Sequence, residues 1–177
     1  MATATATAAS EPRARDPLIG QEANRVFLAV IDDTAELTAA IRYVCNRARK
    51  TGGRVALLYT YDIDKDFQQF AAVGQLMEQE AKQTATETLK THALMIQQNI
   101  GRVPDMYVRK GNAREELFKL VAEHPEISIL VLGAGTGKSP GPLVEAVTGK
   151  YAGKIGIPVT IVPGDLNAEE IDRLTSG

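Results

Sequence analysis

The first apolar run of the chain reads VFLAVI over residues 26–31, and the polar residues Asp32, Asp33 and Thr34 follow it directly. A continuous run of this length is typical of a strand that is buried on both faces of a parallel sheet. Asp33 and Glu36 have the spacing of a capping box, which predicts that a helix begins there. The other strand candidates are the apolar runs at residues 55–60, 106–108, 127–132 and 158–162.

Helical patterns separate these runs, and the alternation of strand and helix predicts right-handed βαβ units. We therefore predict an α/β fold, a single doubly wound domain whose five-stranded parallel sheet has helices on both faces. The first and fourth runs are strongly apolar, so we expect them side by side, in the sheet order 3-2-1-4-5. Ligands of such sheets bind outside the carboxyl ends of the strands, where the strand order reverses.

The chain divides into three predicted segments. Residues 25–164 form the domain, and residues 1–24 have the composition of a mobile N-terminal tail, with Ala and Thr alternating before a stretch that holds two prolines. Residues 165–177 are predicted to be a C-terminal tail, in which Ala168 to Leu174 form a short polar helix or a frayed end.

Composition narrows the classes of partner and cofactor. The net charge of −2 and the lack of a basic stripe disfavour nucleic acid. A single cysteine, Cys45, allows no internal disulfide, and with only His92 and His124 a His/Cys metal cluster is not expected. No apolar run reaches the length of a membrane span, and the amino terminus lacks the pattern of a signal peptide. We expect a cytoplasmic protein with neither a membrane nor a nucleic-acid partner.

A glycine-rich loop, GAGTGKSPG at residues 133–141, follows the fourth apolar run. Its Gly-Thr-Gly-Lys-Ser core is similar to a P-loop, but the residue five positions before Gly137 is Leu132, where that motif needs glycine. Pro140 and Pro142 also prevent the immediate helix of a P-loop. Backbone amides of such a loop favour an anion, while the glycines equally fit a tight turn that binds nothing.

Five pieces of the sequence, in this order, resemble universal stress proteins. They are AVIDDT at 29–34, LLYTYD at 57–62, VRKGNA at 108–113, ILVLG at 129–133 and IPVTIVP at 157–163. The resemblance covers residues 25–164 and implies a stress-response protein that acts by binding rather than by turnover. It also implies the same strand order, an adenine-nucleotide site at the carboxyl edge of the sheet, and a homodimer.

The resemblance implies a definite phosphate pattern, Gly-x2-Gly-x9-Gly-Ser/Thr, in members that bind ATP. Gly133 matches its first glycine, and Thr136 stands at the second position. Counted back from Pro158, the last pair falls on Glu145 and Ala146, where a carboxylate would repel phosphate. We therefore expect ATP or AMP to bind weakly or not at all, with Mg²⁺ only as the companion of a nucleotide.

The predicted ligand site combines the strand ends with the glycine-rich loop. The favourable features are the open amides of Gly135 and Gly137 and the charge of Lys138. We predict no catalytic residue and no metal ligand. The binding residues are predicted to be Asp32, Thr60, Gly111, Gly133, Gly135, Gly137, Lys138 and Ser139.

Three functions remain open from the sequence. The first is a binding protein whose loops respond to a nucleotide. The second is an ATP- or GTP-hydrolysing enzyme that uses Lys138 and Ser139, and the third is an interaction module without a ligand. In each case the last strand, residues 159–162, is apolar and predicted to lie at a sheet edge, where it would pair with a second copy in a homodimer.

Overall fold

The computed structural model of the chain describes residues 25–63 and 70–177, so the predicted N-terminal tail lies outside the described residues. The strands are β1 Val26–Val30, β2 Arg54–Tyr61, β3 Asp105–Lys110, β4 Ile127–Ala134 and β5 Val159–Pro163. The helices are α1 Leu37–Thr51, α2 Ala71–Ile100, α3 Ala113–Glu123, α4 Pro142–Thr148 and α5 Ala168–Thr175.

All five strands run parallel in the order β3-β2-β1-β4-β5, which confirms the predicted fold and strand order. Strand β1 lies at the centre, with Leu28 paired to Ala56 of β2 on one side and to Leu130 of β4 on the other. Every residue of β1 is buried. Strands β3 and β5 form the two edges.

Alternate residues of β1 point into two separate cores, because successive side chains of a strand point to opposite faces. Phe27 and Ala29 pack with residues of α1, α2 and α5, whereas Leu28 and Val30 pack with residues of α3 and α4. The sheet therefore has helices on both faces, as predicted. No described helix is long and apolar enough to cross a lipid bilayer.

Local sequence signals mark the starts of two helices, and the signal for a third helix start is misleading. The side chain of Asn112 accepts hydrogen bonds from the amides at 114 and 115 and caps α3, and Pro142 is the first residue of α4. The capping box expected from Asp33 and Glu36 is absent, since Glu36 is the N-cap of α1 and forms no capping side-chain bond. Asp32 instead accepts hydrogen bonds from the amide and hydroxyl of Thr34.

Helix α2 is one continuous helix of 30 residues that ends at Gly101, where φ is 72°. The helix packs on β2 and β3, and its buried residues all lie from Ala85 onward. Lys110, the last residue of β3, forms an ion pair with Glu78 at 2.9 Å. Residues 71–77 therefore extend past the carboxyl edge of the sheet, and nearby Phe70 is 65% exposed.

The segment 165–177, expected to be a tail, contains helix α5, which packs against α1. Ile171 is only 2% exposed in the core formed with α1. Arg42 donates two hydrogen bonds to the carboxylate of Asp172, and Asn46 donates a third at 2.8 Å. These bonds from Arg42 and Asn46 lower the pKa of Asp172 to about 2.

We predict that α5 contributes to the stability of the whole domain. Ile171→Ala should lower the free energy of unfolding by roughly 2–5 kcal/mol, because it removes a buried side chain and leaves a cavity. Leu174→Ala is the control on the same helix, since Leu174 is 60% exposed and its loss should cost less than about 0.5 kcal/mol. Urea denaturation followed by circular dichroism measures both. Equal losses of unfolding free energy in the two variants would show that the buried face of α5 does not stabilise the domain.

Candidate functional site

A cleft of about 340 Å³ opens at the carboxyl edge of the sheet. It lies between the ends of β1 and β4, where the strand order reverses: β2 and β3 follow β1 on one side, and β5 follows β4 on the other. This is the position at which parallel α/β sheets bind ligands. The carboxyl ends of β1, β2 and β4, the start of α1 and the start of α4 form its walls.

Only some of the residues predicted to form the binding site line the cleft. Of the predicted binding residues, Asp32, Thr60 and Gly133 line it. Gly111 lies at the end of β3 with φ at 136°, and its amide donates to the carbonyl of Tyr61, so its role is to shape the turn before α3. The remaining predicted residues are absent from the lining of the cleft: Gly135, Gly137, Lys138 and Ser139.

The glycine-rich loop folds back on itself. The amide of Gly135, expected to be open to an anion, donates to the carbonyl of Pro140 at 3.0 Å. The hydroxyl of Ser139 accepts from the amide of Gly141 at 3.1 Å and donates to Glu145 at 2.5 Å. The prediction of an open amide at Gly135 is therefore wrong, because the loop satisfies that donor internally.

The charge of the cleft is negative. Its ionisable acidic side chains are Asp32, Asp33 and Glu36, and no Lys or Arg occurs among the described residues that line it. Lys138, the expected phosphate contact, is exposed and lies outside the lining. Three carboxylates around one small cleft disfavour a ligand with several negative charges and favour neutral hydrogen-bond donors.

Tyr59 is a cleft residue that the sequence did not single out. Burial raises the pKa of its phenol, and the nearby carboxylates of Asp33 and Asp32 raise it further. The phenol therefore stays protonated at neutral pH and can donate a hydrogen bond. Its position at the end of the apolar run 55–60, next to Thr60, is the only signal in the sequence that could have identified it.

Glu36, expected to take part in a capping box, has a different place in the structure. A Cβ atom on Gly133 would lie 2.7 Å from the carbonyl oxygen of Glu36, and one on Gly164 would lie 2.5 Å from its Cβ. A Cβ atom on Gly135 would lie 3.4 Å from its carboxylate oxygen. Three glycines that follow or end β4 and β5 thus make room for Glu36, which lies over these strand ends and lines the cleft.

Metal binding has no support in the part of the chain that the structure describes. Within residues 25–63 and 70–177, no group of three or more His, Cys, Asp or Glu side chains could hold a metal ion. Asp32 and Asp33 are adjacent, but no third ligand joins them. The arrangement can hold a small polar molecule between acceptors and apolar walls.

The fold and the site define a class of protein: a doubly wound α/β domain with a cleft at its switch point. Residues 23–163 match the sequence model of the universal stress protein family. The match spans more than half of the chain, and the chain belongs to this family. A sequence search of curated proteins gave no match.

Solved structures agree on the fold. The universal stress protein UspA from Lactobacillus plantarum superposes with a TM-score of 0.63 at 17% identity, covering 78% of this chain and 97% of that chain. A universal stress family protein from Burkholderia pseudomallei gives 0.59 at 13% identity, covering 80% and 97%. One from Archaeoglobus fulgidus gives 0.55 at 18% identity, covering 78% and 98%. At these identities the likeness shows the fold alone.

We predict that the space around Glu36 tolerates no added methyl group. Gly164→Ala should lower the free energy of unfolding by roughly 1–3 kcal/mol, because its Cβ would overlap Glu36 and the carbonyl of Ala134. Gly137→Ala is the matched control, since a Cβ there meets nothing within 4 Å. It should be neutral or slightly stabilising. Thermal unfolding of both variants checks the prediction, and equal melting temperatures would contradict it.

Proposed function

We propose that this chain is a stress-response protein that acts by binding, and that its switch-point cleft takes an adenine nucleoside or a singly phosphorylated adenine nucleotide in preference to ATP. The observation that carries the proposal is the charge of the cleft, with three lining carboxylates and no lining cation among the described residues. The occupied cleft would alter the loops at the carboxyl edge and through them the binding of a protein partner.

The groups in the cleft suit a nucleoside. Asp32 supplies a carboxylate that accepts hydrogen bonds from sugar hydroxyls or an amino group, and Tyr59 and Thr60 supply hydroxyls. Leu132 and Leu143 add apolar surface for a flat ring. The choice of adenine rests on the resemblance to nucleotide-binding universal stress proteins.

Electrostatics opposes a phosphate chain in this cleft. One carboxylate about 4 Å from a phosphate charge costs roughly 4 kcal/mol at an effective dielectric constant near 20, which is about three decades of affinity before salt screening. Glu145, at the family's glycine position, stays exposed at the loop and bonded to Ser139. Each added phosphate should therefore weaken binding.

Binding without turnover is favoured over nucleotide hydrolysis. A hydrolase on the glycine-rich loop would need Lys138 and Ser139 to face the bound phosphates, as in a P-loop. Both residues lie outside the lining of the cleft, and the hydroxyl of Ser139 is held by Glu145. The interaction module without a ligand is the alternative that the following experiment distinguishes.

Titration calorimetry with adenosine, AMP and Mg-ATP tests the charge argument. Affinity should fall from adenosine to AMP to ATP. Asp33→Asn should raise the affinity for AMP about threefold to tenfold and leave adenosine unchanged, because it removes one repelling charge from the cleft wall. Asp165→Asn is the control, since it makes the same charge change outside the cleft.

Three outcomes would count against this proposal. Mg-ATP that displaces adenosine from the wild-type cleft more effectively than AMP does would show that the carboxylates do not control selectivity. Heat signals that are absent for all three compounds would favour the module without a ligand. Equal gains in AMP affinity from Asp33→Asn and Asp165→Asn would show that the effect comes from the net charge of the chain and not from the wall of the cleft.

We also propose that the chain forms a homodimer through β5. Among the described residues this strand has only β4 as a neighbour, and Val159, Thr160 and Ile161 are half-buried in the single chain. The amide of Leu130 donates to the carbonyl of Pro158. In a parallel ladder with this register, the amide of Thr160 points to β4 and that of Ile161 points outward.

Removing the outward amide should therefore break the dimer and keep the fold. We expect a dimer mass for the wild type and a monomer mass for Ile161→Pro in light scattering at micromolar concentration. Ile161→Val, which keeps the amide, should remain dimeric. Circular dichroism verifies that the proline variant is folded. A monomeric wild type, or a folded proline variant that stays dimeric, would contradict the proposal.

A further inference from the structure

Three cationic side chains surround the ring of Tyr151, which lies in the turn after α4. The guanidinium carbon of Arg114 is 4.6 Å from the ring centroid, and the Nζ atoms of Lys150 and Lys154 are 5.6 and 5.4 Å from it. Phe118 meets the ring edge-on, with centroids 5.9 Å apart. The cations around the ring therefore come from two elements, α3 and the turn after α4.

A hollow of about 370 Å³, which we call the Tyr151 pocket, opens beside this ring. It shares no lining residue with the switch-point cleft. Its walls come from α3 and from the turn after α4, whereas the cleft lies at the strand ends. The residues that line it are Arg114, Glu115, Phe118, Lys119, Tyr151 and Lys154.

The cations that line the pocket, together with Lys150 beside the Tyr151 ring, are only partly neutralised. Lys119 forms an ion pair with Glu116 at 2.7 Å, and Arg114 lies 4.0 Å from Glu115. Lys150 and Lys154 form no ion pair with any described residue.

This local excess of positive charge occurs in a chain whose net charge is −2. Like charges around one ring repel each other, and the ring face offsets only part of that repulsion. A bound anion would offset the rest.

We propose that the Tyr151 pocket binds an oligophosphate, a chain of two or more linked phosphate groups. Cations that reach the ring from two elements can meet successive phosphates of one chain. Arg114 can bind a phosphate with two parallel hydrogen bonds, and Lys150 and Lys154 act as point charges. The protein would thus bind phosphate chains away from the acidic cleft that repels them.

Titration calorimetry with inorganic tripolyphosphate tests the pocket. Lys150→Gln/Lys154→Gln should weaken binding about tenfold or more, since it removes both unpaired cations. The control is Lys82→Gln/Lys90→Gln, which makes the same charge change at exposed positions of α2 and should change binding less than about twofold. Binding should also weaken as sodium chloride is added. Equal loss in the two double variants, or affinity that salt does not change, would overturn the proposal.

A second titration, with ATP, distinguishes a site for a free phosphate chain from a site for a nucleoside triphosphate. Equal affinity for ATP and tripolyphosphate, both lost in Lys150→Gln/Lys154→Gln, indicates a site for the phosphate chain alone. Tighter binding of ATP that is lost in the same variant indicates a nucleoside triphosphate. Adenosine binding in the cleft should be unchanged by this variant, and Asp33→Asn should leave tripolyphosphate binding unchanged. Failure of one site is therefore distinguishable from failure of the other.

Discussion

The burial of β1 on both faces and between two parallel neighbours is the constraint on which the rest of the structure depends. Its alternate side chains join two cores that together include all five helices. Because β2 and β4 flank it, the connections that leave the carboxyl ends of β1 and β4 run to opposite faces of the sheet, toward α1 and α4. The gap at that point is the switch-point cleft, so the same burial that stabilises the fold also creates the cleft.

Glu36 connects this architecture to the chemistry of the cleft. Its backbone and side chain lie over the ends of β4 and β5, where glycines leave room for them. Its carboxylate joins Asp32 and Asp33 in the lining. A packing requirement at the strand ends therefore also sets the sign of the charge that a ligand meets. The Tyr151 pocket, with its cationic side chains, shares no lining residue with this acidic cleft, so the two groups of opposite charge lie on different parts of the surface.

The strand order, the two faces and the cap at Asn112 could be predicted because each depends on local pattern or on one simple rule of burial. A short helix at Ala168 to Leu174 was one of two expectations, but its packing could not be predicted, since Ile171 and Asp172 depend on contacts with α1 that are more than 100 positions away in the chain. The open amide predicted at Gly135 in the loop at 133–141 was wrong for a different reason. Glycine serves both anion binding and tight turns, and only the bond from Gly135 to Pro140 distinguishes them.

The two ends of the continuous helix α2 differ in local stability. Residues from Ala85 onward pack on the sheet, so their amides open only when much of the domain opens. Residues 71–77 extend past the carboxyl edge for about 10 Å, with Val73 and Leu76 exposed to water. Their backbone hydrogen bonds depend on helix propensity alone, which is marginal for so short a length. Amide hydrogen exchange should therefore be fast in the first two turns and slow in the second half of the helix.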